Sequence, residues 1–229
     1  MHVCAQTASP RFAAARALPS SQHAWAPAEA PLHLKVLRTP EQREALANLR
    51  KHAAMGLEED LRAGLMPFEA LRDQIGLVTA LYRGQQAVAT LRLVPSGHGL
   101  TAAERVWDGV GARPGILGPG NWEVGRLVVA PEERSPELLR RCLAMALQAL
   151  TERREVEHFY AVSAPPLARL WRRFGMDATA TLYGASGRKI ILVSGHVAQV
   201  ARALHLPPRG GSPVTVVDSH HAQRESLAA

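Results

Sequence analysis

A chain of 229 residues that is 47% hydrophobic can bury one sizeable core and is too apolar to be wholly disordered. Its net charge of +7 points to an acidic protein, an anionic cofactor, a lipid surface or nucleic acid as partners to weigh. No uninterrupted apolar run reaches membrane-spanning length, the N-terminus lacks the features of a signal peptide, and Cys4 and Cys142 have no metal or disulfide spacing, so a cytoplasmic protein is expected.

Residues 1–31 are rich in Ala, Pro, Ser and His without periodicity and read as a disordered leader. Leu32 to Leu37 alternates as a short strand. Thr39-Pro40-Glu41 then opens a helix, with Thr39 as N-cap, Leu46, Leu49 and Ala53 on one face, Arg50 beside it and Gly56 as its end. Phe68, Leu71 and Ile75 anchor a second helix. Leu77 to Tyr82 and Gln86 to Val94 are strands joined by the tight turn Arg83-Gly84-Gln85. From Pro95 to Gly120 the chain reads as a long Gly- and Pro-rich loop, docked by Trp107.

Asn121 to Val129 is the most informative stretch. It is a buried strand carrying Glu123 and Arg126, two charges that are costly to bury unless paired or used, and Pro131 ends it. A helix from about Pro136 to Arg153 follows, with Leu139, Cys142, Leu143, Ala146, Leu147 and Leu150 as its apolar stripe. Then come a strand at His158 to Ser163 and a helix from Pro165 to Phe174, capped by Gly175. A hairpin of Asp177 to Tyr183 with Lys189 to Val193 and a last helix near Val197 to Leu204 complete the domain. The expected folded unit is therefore 32–206, and 207–229 reads as a flexible tail in which Val214 to Val217 could add an edge strand.

This β-α-α-β-β-(loop)-β-α-β-α-β-β order resembles the GNAT acyltransferase fold, an α/β (α+β) architecture with a mixed sheet splayed near its middle and flanked by helices. Arg50, the run Arg92-Leu93-Val94-Pro95 and the run Glu123-Val124-Gly125-Arg126 resemble the branch that holds acyl-homoserine-lactone synthases and long-chain N-acyl amino acid synthases. The resemblance implies transfer of a medium or long fatty acyl group from the phosphopantetheine of acyl carrier protein, or from acyl-CoA, to a small-molecule amine. Gly125 stands where the branch as a whole has Ser. Two departures favour the amino acid synthases over the lactone synthases: Lys51-His52-Ala53-Ala54-Met55 lacks aromatics after Arg50, and Asp73-Gln74 replaces a paired-aspartate motif. Arg134-Ser135-Pro136-Glu137-Leu138 occupies the position of a Gly-rich pyrophosphate loop. It has no glycine, Pro136 lacks an amide and Glu137 is negative, which favours a carrier protein over coenzyme A.

The resemblance assigns roles. Glu123 is the candidate base, directly or through water, with an Arg126 ion pair as the alternative; positions three apart on a strand face opposite ways unless a bulge intervenes. A backbone amide at Val128 or Val129 is the candidate oxyanion donor. Arg50, Arg92, Arg126 and Trp122 are candidate substrate-binding residues: Arg92 and Arg126 either grip an acceptor carboxylate or brace the site, and Arg50 either orients the acceptor or is a helix-surface charge. Leu143, Leu147 and Trp171 would line the acyl pocket. Arg134, Arg140, Arg141, Arg172 and Arg173 would dock the acidic carrier protein. Cys142 reads as core, and His158, His196 and His220-His221 show no ligand pattern, so neither a metal nor another resident cofactor is expected. Nucleic acid is disfavoured, because the arginines are not interleaved with aromatics. Peripheral membrane contact stays open. The alternatives are a lactone synthase using S-adenosylmethionine, a CoA-dependent acetyltransferase and an inert binding module.

Overall fold

The computed structural model describes residues 30–52, 66–108, 114–184, 186–206 and 216–218. Its strands are β1 (Leu32–Leu37), β2 (Leu77–Arg83), β3 (Gln86–Pro95), β4 (Asn121–Val129), β5 (His158–Ser163), β6 (Asp177–Tyr183), β7 (Lys189–His196) and β8 (Val216–Asp218). They form one mixed sheet in the order β6-β7-β5-β4-β3-β2-β1-β8. The α-helices among the described residues are α1 (Pro40–Glu44), α2 (Ala47–Arg50), α3 (Glu69–Ile75), α4 (Ala102–Val106), α5 (Pro136–Thr151), α6 (Pro165–Arg173) and α7 (Val197–Ala203).

Local chemistry explains most boundaries. Thr39 caps α1 by accepting from the Gln42 amide, and the Gln42 side chain returns to the Thr39 amide, which completes a capping box. Ser135 caps α5 in the same sense through the Leu138 amide, and Pro136 occupies the first helical position. The two-residue link between β2 and β3 has Gly84 at φ 59°, a left-handed conformation that glycine adopts without steric penalty.

Three expectations change. The first helix is not continuous: α1 stops at Glu44 and α2 restarts at Ala47, while Ala53 and Gly56 lie outside the described residues. The passage after β3 contains α4, with Thr101 as N-cap and a capping box closed by Glu104. In the tail, Val216–Asp218 pairs in parallel with β1, slightly later than the expected edge strand; the rest of the tail and the leader up to residue 29 lie outside the described residues.

Apolar residues fill both faces of the sheet. On one face the α5 stripe of Leu138, Cys142, Leu143, Ala146, Leu147 and Leu150 packs with Leu91, Leu93, Val124, Phe159 and Ala161. Each such leucine contributes about 2 kcal/mol by leaving water. On the other face Leu46 and Leu49 cover Val78, Ala80, Val128 and Ala130. Trp107 docks beside β5 and β7 with Ala103, Leu117, Tyr160 and Leu192.

The sheet opens near its middle. β4 and β5 run parallel but pair only at Asn121–His158, Trp122–Phe159 and Glu123–Tyr160. Beyond Glu123, β4 stays bonded to β3 as far as Val129, and β5 stays bonded to β7 as far as Ser163. The two halves of the sheet therefore part just past Glu123 and Tyr160. The helices that follow β4 and β5, α5 and α6, start at this open end.

Candidate functional site

A bulge in β4 decides which side chains share a face. Thr90 pairs with Val128 and Arg92 with Gly125, so Arg126 and Leu127 together oppose the single residue Leu91. Arg126 takes φ 51°, a left-handed conformation that is strained for a residue with a Cβ. The extra residue shifts the alternation. Val124 packs under α5, Val128 packs under α2, and Arg126 reaches the same charged cluster as Glu123.

That cluster joins four elements, α2, α3, β3 and β4. Arg92 of β3 is 1% exposed; its Nη1 donates to Glu69 Oε2 at 3.0 Å and to Asp73 Oδ1 at 2.8 Å, and its Nη2 donates to Glu69 Oε1 at 3.2 Å. Arg72 is 3% exposed and donates to Glu69 Oε1 and to Glu123 Oε1, both at 2.8 Å. Arg126 donates to Glu69 Oε2 through Nε at 3.2 Å and Nη2 at 2.7 Å. Arg50 of α2 donates from Nη1 to Asp73 Oδ2 at 3.1 Å. Burial alone would raise the Glu69 carboxyl, but hydrogen bonds and charge from Arg92 and Arg126 bring it down to about 2. Helix α3 can supply all three partners because positions 69, 72 and 73 lie one turn apart on one side.

Glu123 is 2% exposed and firmly held. Oε1 accepts from Arg72 and from the Ala102 amide at 3.0 Å, and Oε2 accepts from the Ala103 amide at 2.8 Å. It therefore anchors the start of α4. The ion pair between Glu123 and Arg126 weighed as the alternative to catalysis is replaced by Glu123–Arg72 and Arg126–Glu69. Each carboxylate oxygen has two lone pairs, so Oε2 retains one acceptor site. Next to it, Ser96 donates to Tyr160, Tyr160 to Thr101 at 3.1 Å and Thr101 to Glu104 at 3.0 Å, a buried hydroxyl chain. Burial, reinforced by the Glu123 charge, pushes the Tyr160 hydroxyl well above the ordinary phenol range.

The amides that border the opening follow from the β3–β4 ladder. The Ala130 amide donates to Val88 O, which makes Thr90 and Val128 the next bonded pair and turns the Val129 amide away from β3. Of the two expected oxyanion donors, Val128 is committed to β3 and Val129 faces the parted side.

Several sequence expectations are corrected. Trp122 points to the α5 face, opposite Glu123, and is a core residue there, so it does not join the charged site. Arg92 and Arg126 are both ion-paired to Glu69. Leu143, Leu147 and Trp171 do lie in the apolar layer with Val124 and Ala161 from the two lips, but as packed core. Arg134, Arg140 and Arg141 lie around the start of α5, whereas Arg172 and Arg173 lie in the last turn of α6, ~13 Å along that helix from its start. Arg140 is also tied to Glu137 and to Leu204 O, and Arg172 lies 3.6 Å from Asp177. Cys142 is wholly buried, which pushes its thiol up to about 12 and fits the core reading.

Sequence reasoning missed Glu69, Arg72, Ser96, Thr101, Glu104 and Tyr160, and read Asp73 only as a departure from a motif. Thr101-Ala102-Ala103-Glu104 carries a readable capping-box signal. The α3 residues carry none, because a short polar helix looks solvated until β3 and β4 are packed against it. No three His, Cys, Asp or Glu residues are grouped to hold a metal ion among the described residues, and no helix among them is long and apolar enough to cross a membrane.

A mixed sheet that parts between its fourth and fifth strands, with a bulge in the fourth, defines the class: the chain has the GNAT acyltransferase fold. Among solved structures it is similar to FeeM, an N-acyl amino acid synthase from uncultured soil microbes, with a TM-score of 0.53 and 14% identity over 78% of this chain and 99% of that one. It is similar to the AHL synthase LasI, with a TM-score of 0.52 and 14% identity over 79% of this chain and 98% of that one. An acyl-CoA N-acyltransferase from Pseudomonas aeruginosa matches with a TM-score of 0.50 and 19% identity over 72% of this chain and 99% of that one. No family model matches the sequence, and no curated protein matches it.

Proposed function

We propose that this chain is an N-acyltransferase that moves a medium or long fatty acyl group from acyl carrier protein to the amine of an amino acid. The observation that carries this reading is the parting of β4 from β5 immediately beyond the buried pair Glu123–Tyr160. The opening is flanked by the charged cluster on one face and the apolar layer under α5 on the other. A thioester in the slot would lie along the unpaired edge of β4. The Val129 amide would donate to its carbonyl oxygen as charge develops there. The acceptor would lose a proton to Glu123 Oε2, directly or through one water, and its nitrogen would attack the carbonyl as the pantetheine thiol departs.

Acyl carrier protein is preferred over CoA as donor because of the start of α5. Pro136 lacks an amide there, the Leu138 amide is taken by Ser135, and Glu137 adds a negative charge. Those features suit a pyrophosphate poorly. Arg134 and Arg141, both exposed beside the same opening, suit an acidic docking helix. The acyl chain would enter the layer around Leu143, Leu147 and Trp171 by displacing these side chains. A cytoplasmic location follows from the proposed donor.

Expression in a bacterial host followed by mass spectrometry of extracted lipids tests this. N-acyl amino acids absent from a Glu123→Gln control are expected. Acyl-homoserine lactones would favour the lactone synthase instead. Absence of any acylated amine, with purified chain also inert toward acyl carrier protein and acyl-CoA, would refute acyl transfer.

A further inference from the structure

Arg50 is held at one end only. Its Nη1 donates to Asp73 at 3.1 Å, while Nε and Nη2 are buried and have no hydrogen-bond partner among the described residues. These two nitrogens form one edge of the guanidinium, and their N–H bonds point the same way. The neighbouring arginines are different. Arg72 and Arg92 each use both terminal nitrogens on carboxylates and leave only Nε unmatched. Arg50 therefore presents a paired donor edge, where Arg72 and Arg92 each present a single N–H.

Such an edge has one natural complement. A carboxylate offers two oxygens at the spacing of the Nε–Nη2 fork and supplies the negative charge that a desolvated guanidinium lacks. Asp73 sets the position of the fork, because it grips Arg50 through Oδ2 and Arg92 through Oδ1. Arg92 is in turn fixed by Glu69, and Glu69 by Arg72, which holds Glu123. The fork is thus tied through a continuous chain of ion pairs to the acid beside the opening.

We propose that the Nε–Nη2 edge of Arg50 receives a carboxylate carried by the acyl acceptor. This deepens the acyl-transfer reading and rests on it. It transfers the grip expected of Arg92 and Arg126 to Arg50, and it defines the acceptor as a molecule bearing both an amine and a free carboxylate. Polyamines, amino alcohols and amino acid amides would leave the buried fork unmatched and would be rejected.

The test uses product analogues and the full chain. N-acylglycines of eight to sixteen carbons are compared with the matching N-acylglycinamides by calorimetric titration. The acid is expected to bind about 30-fold more tightly than the amide, the scale of a charge-assisted bidentate pair. Arg50→Gln should bring the ratio close to one. Arg50→Lys, which keeps the charge near Asp73 but lacks the fork, should do so as well and covers the case in which the glutamine variant fails to fold. Acid and amide binding equally to the unaltered chain would overturn the inference while leaving acyl transfer standing, as would a ratio unchanged in a folded Arg50 variant. Failure of every analogue to bind would count against the acyl-transfer reading itself.

Discussion

Arg126 and Glu123 lie three residues apart on β4, yet each closes on a different partner: Arg126 on Glu69 at 2.7 Å and Glu123 on Arg72 at 2.8 Å. The bulge at Arg126 makes this possible by returning the side chain to the Glu123 face. Strand and helix are thereby locked together through α3, and the lock sits where the sheet parts.

Glu69 is the hub of that lock, and its removal should be felt by three arginines. Glu69→Gln leaves Arg72, Arg92 and Arg126 short of a charged acceptor. The expected loss is about 3 kcal/mol, since two of the three guanidiniums are almost fully buried. Urea denaturation of purified variants measures it. A loss below about 1 kcal/mol would show that the cluster is not a stabilising hub.

The same residue sets an acid limb. The Glu69 carboxyl lies at about 2 in the folded chain against an ordinary value of 4.5, so the unfolded chain takes up the proton first as pH falls. Its contribution is therefore complete above about pH 4.5 and is lost as pH drops toward 2. Partial exposure and salt screening reduce the effect to about 1–2 kcal/mol. Denaturation between pH 5 and 2 should show a decline that Glu69→Gln flattens.

Backbone strain at Arg126 predicts an unusual ordering of variants. Both Arg126→Ala and Arg126→Gly lose the Glu69 pair, but only alanine keeps a Cβ at φ 51°. Glycine should therefore be the more stable of the two by about 1 kcal/mol, the reverse of its usual rank in a strand. Equal stability, read from thermal melts, would mean that the bulge relaxes once the side chain is gone.

Two glycines near the site should behave oppositely. A Cβ on Gly76 would lie 2.6 Å from Leu93 O and 2.7 Å from Arg72 O, both backbone atoms. Gly76→Ala must push α3 away from β3, with an expected loss of about 2–3 kcal/mol and lower activity, because Arg72 moves with it. A Cβ on Gly125 meets nothing nearer than Glu123 Oε1 at 3.8 Å, so Gly125→Ala should stay within about 0.5 kcal/mol of the unaltered chain.

Glu123→Gln tests chemistry and anchoring together. If Oε2 takes the acceptor's proton, turnover should fall about 100-fold or more. The new amide group would also face the Ala102 or Ala103 amide, donor against donor, for an expected loss of about 1–3 kcal/mol. A folded variant that keeps its turnover would remove Glu123 from the chemistry and leave it as the anchor of α4.

Local pattern was enough for much of the fold. Alternation located β1 to the residue, and Thr39 and Gly84 announced the first helix start and the hairpin through backbone chemistry that needs no distant partner. Glu123 and Arg126 stood out because charges within an apolar strand demand partners. Which partners they take could not be read along the chain. One extra residue in β4 sets the face that Arg126 occupies, and the packing of α3 onto β3 turns Glu69, Arg72 and Asp73 from a solvated turn into a buried ion-pair cluster. The paired edge that Arg50 leaves unmatched also exists only there, because hydrogen-bond satisfaction is a property of the assembled neighbours and not of any one segment.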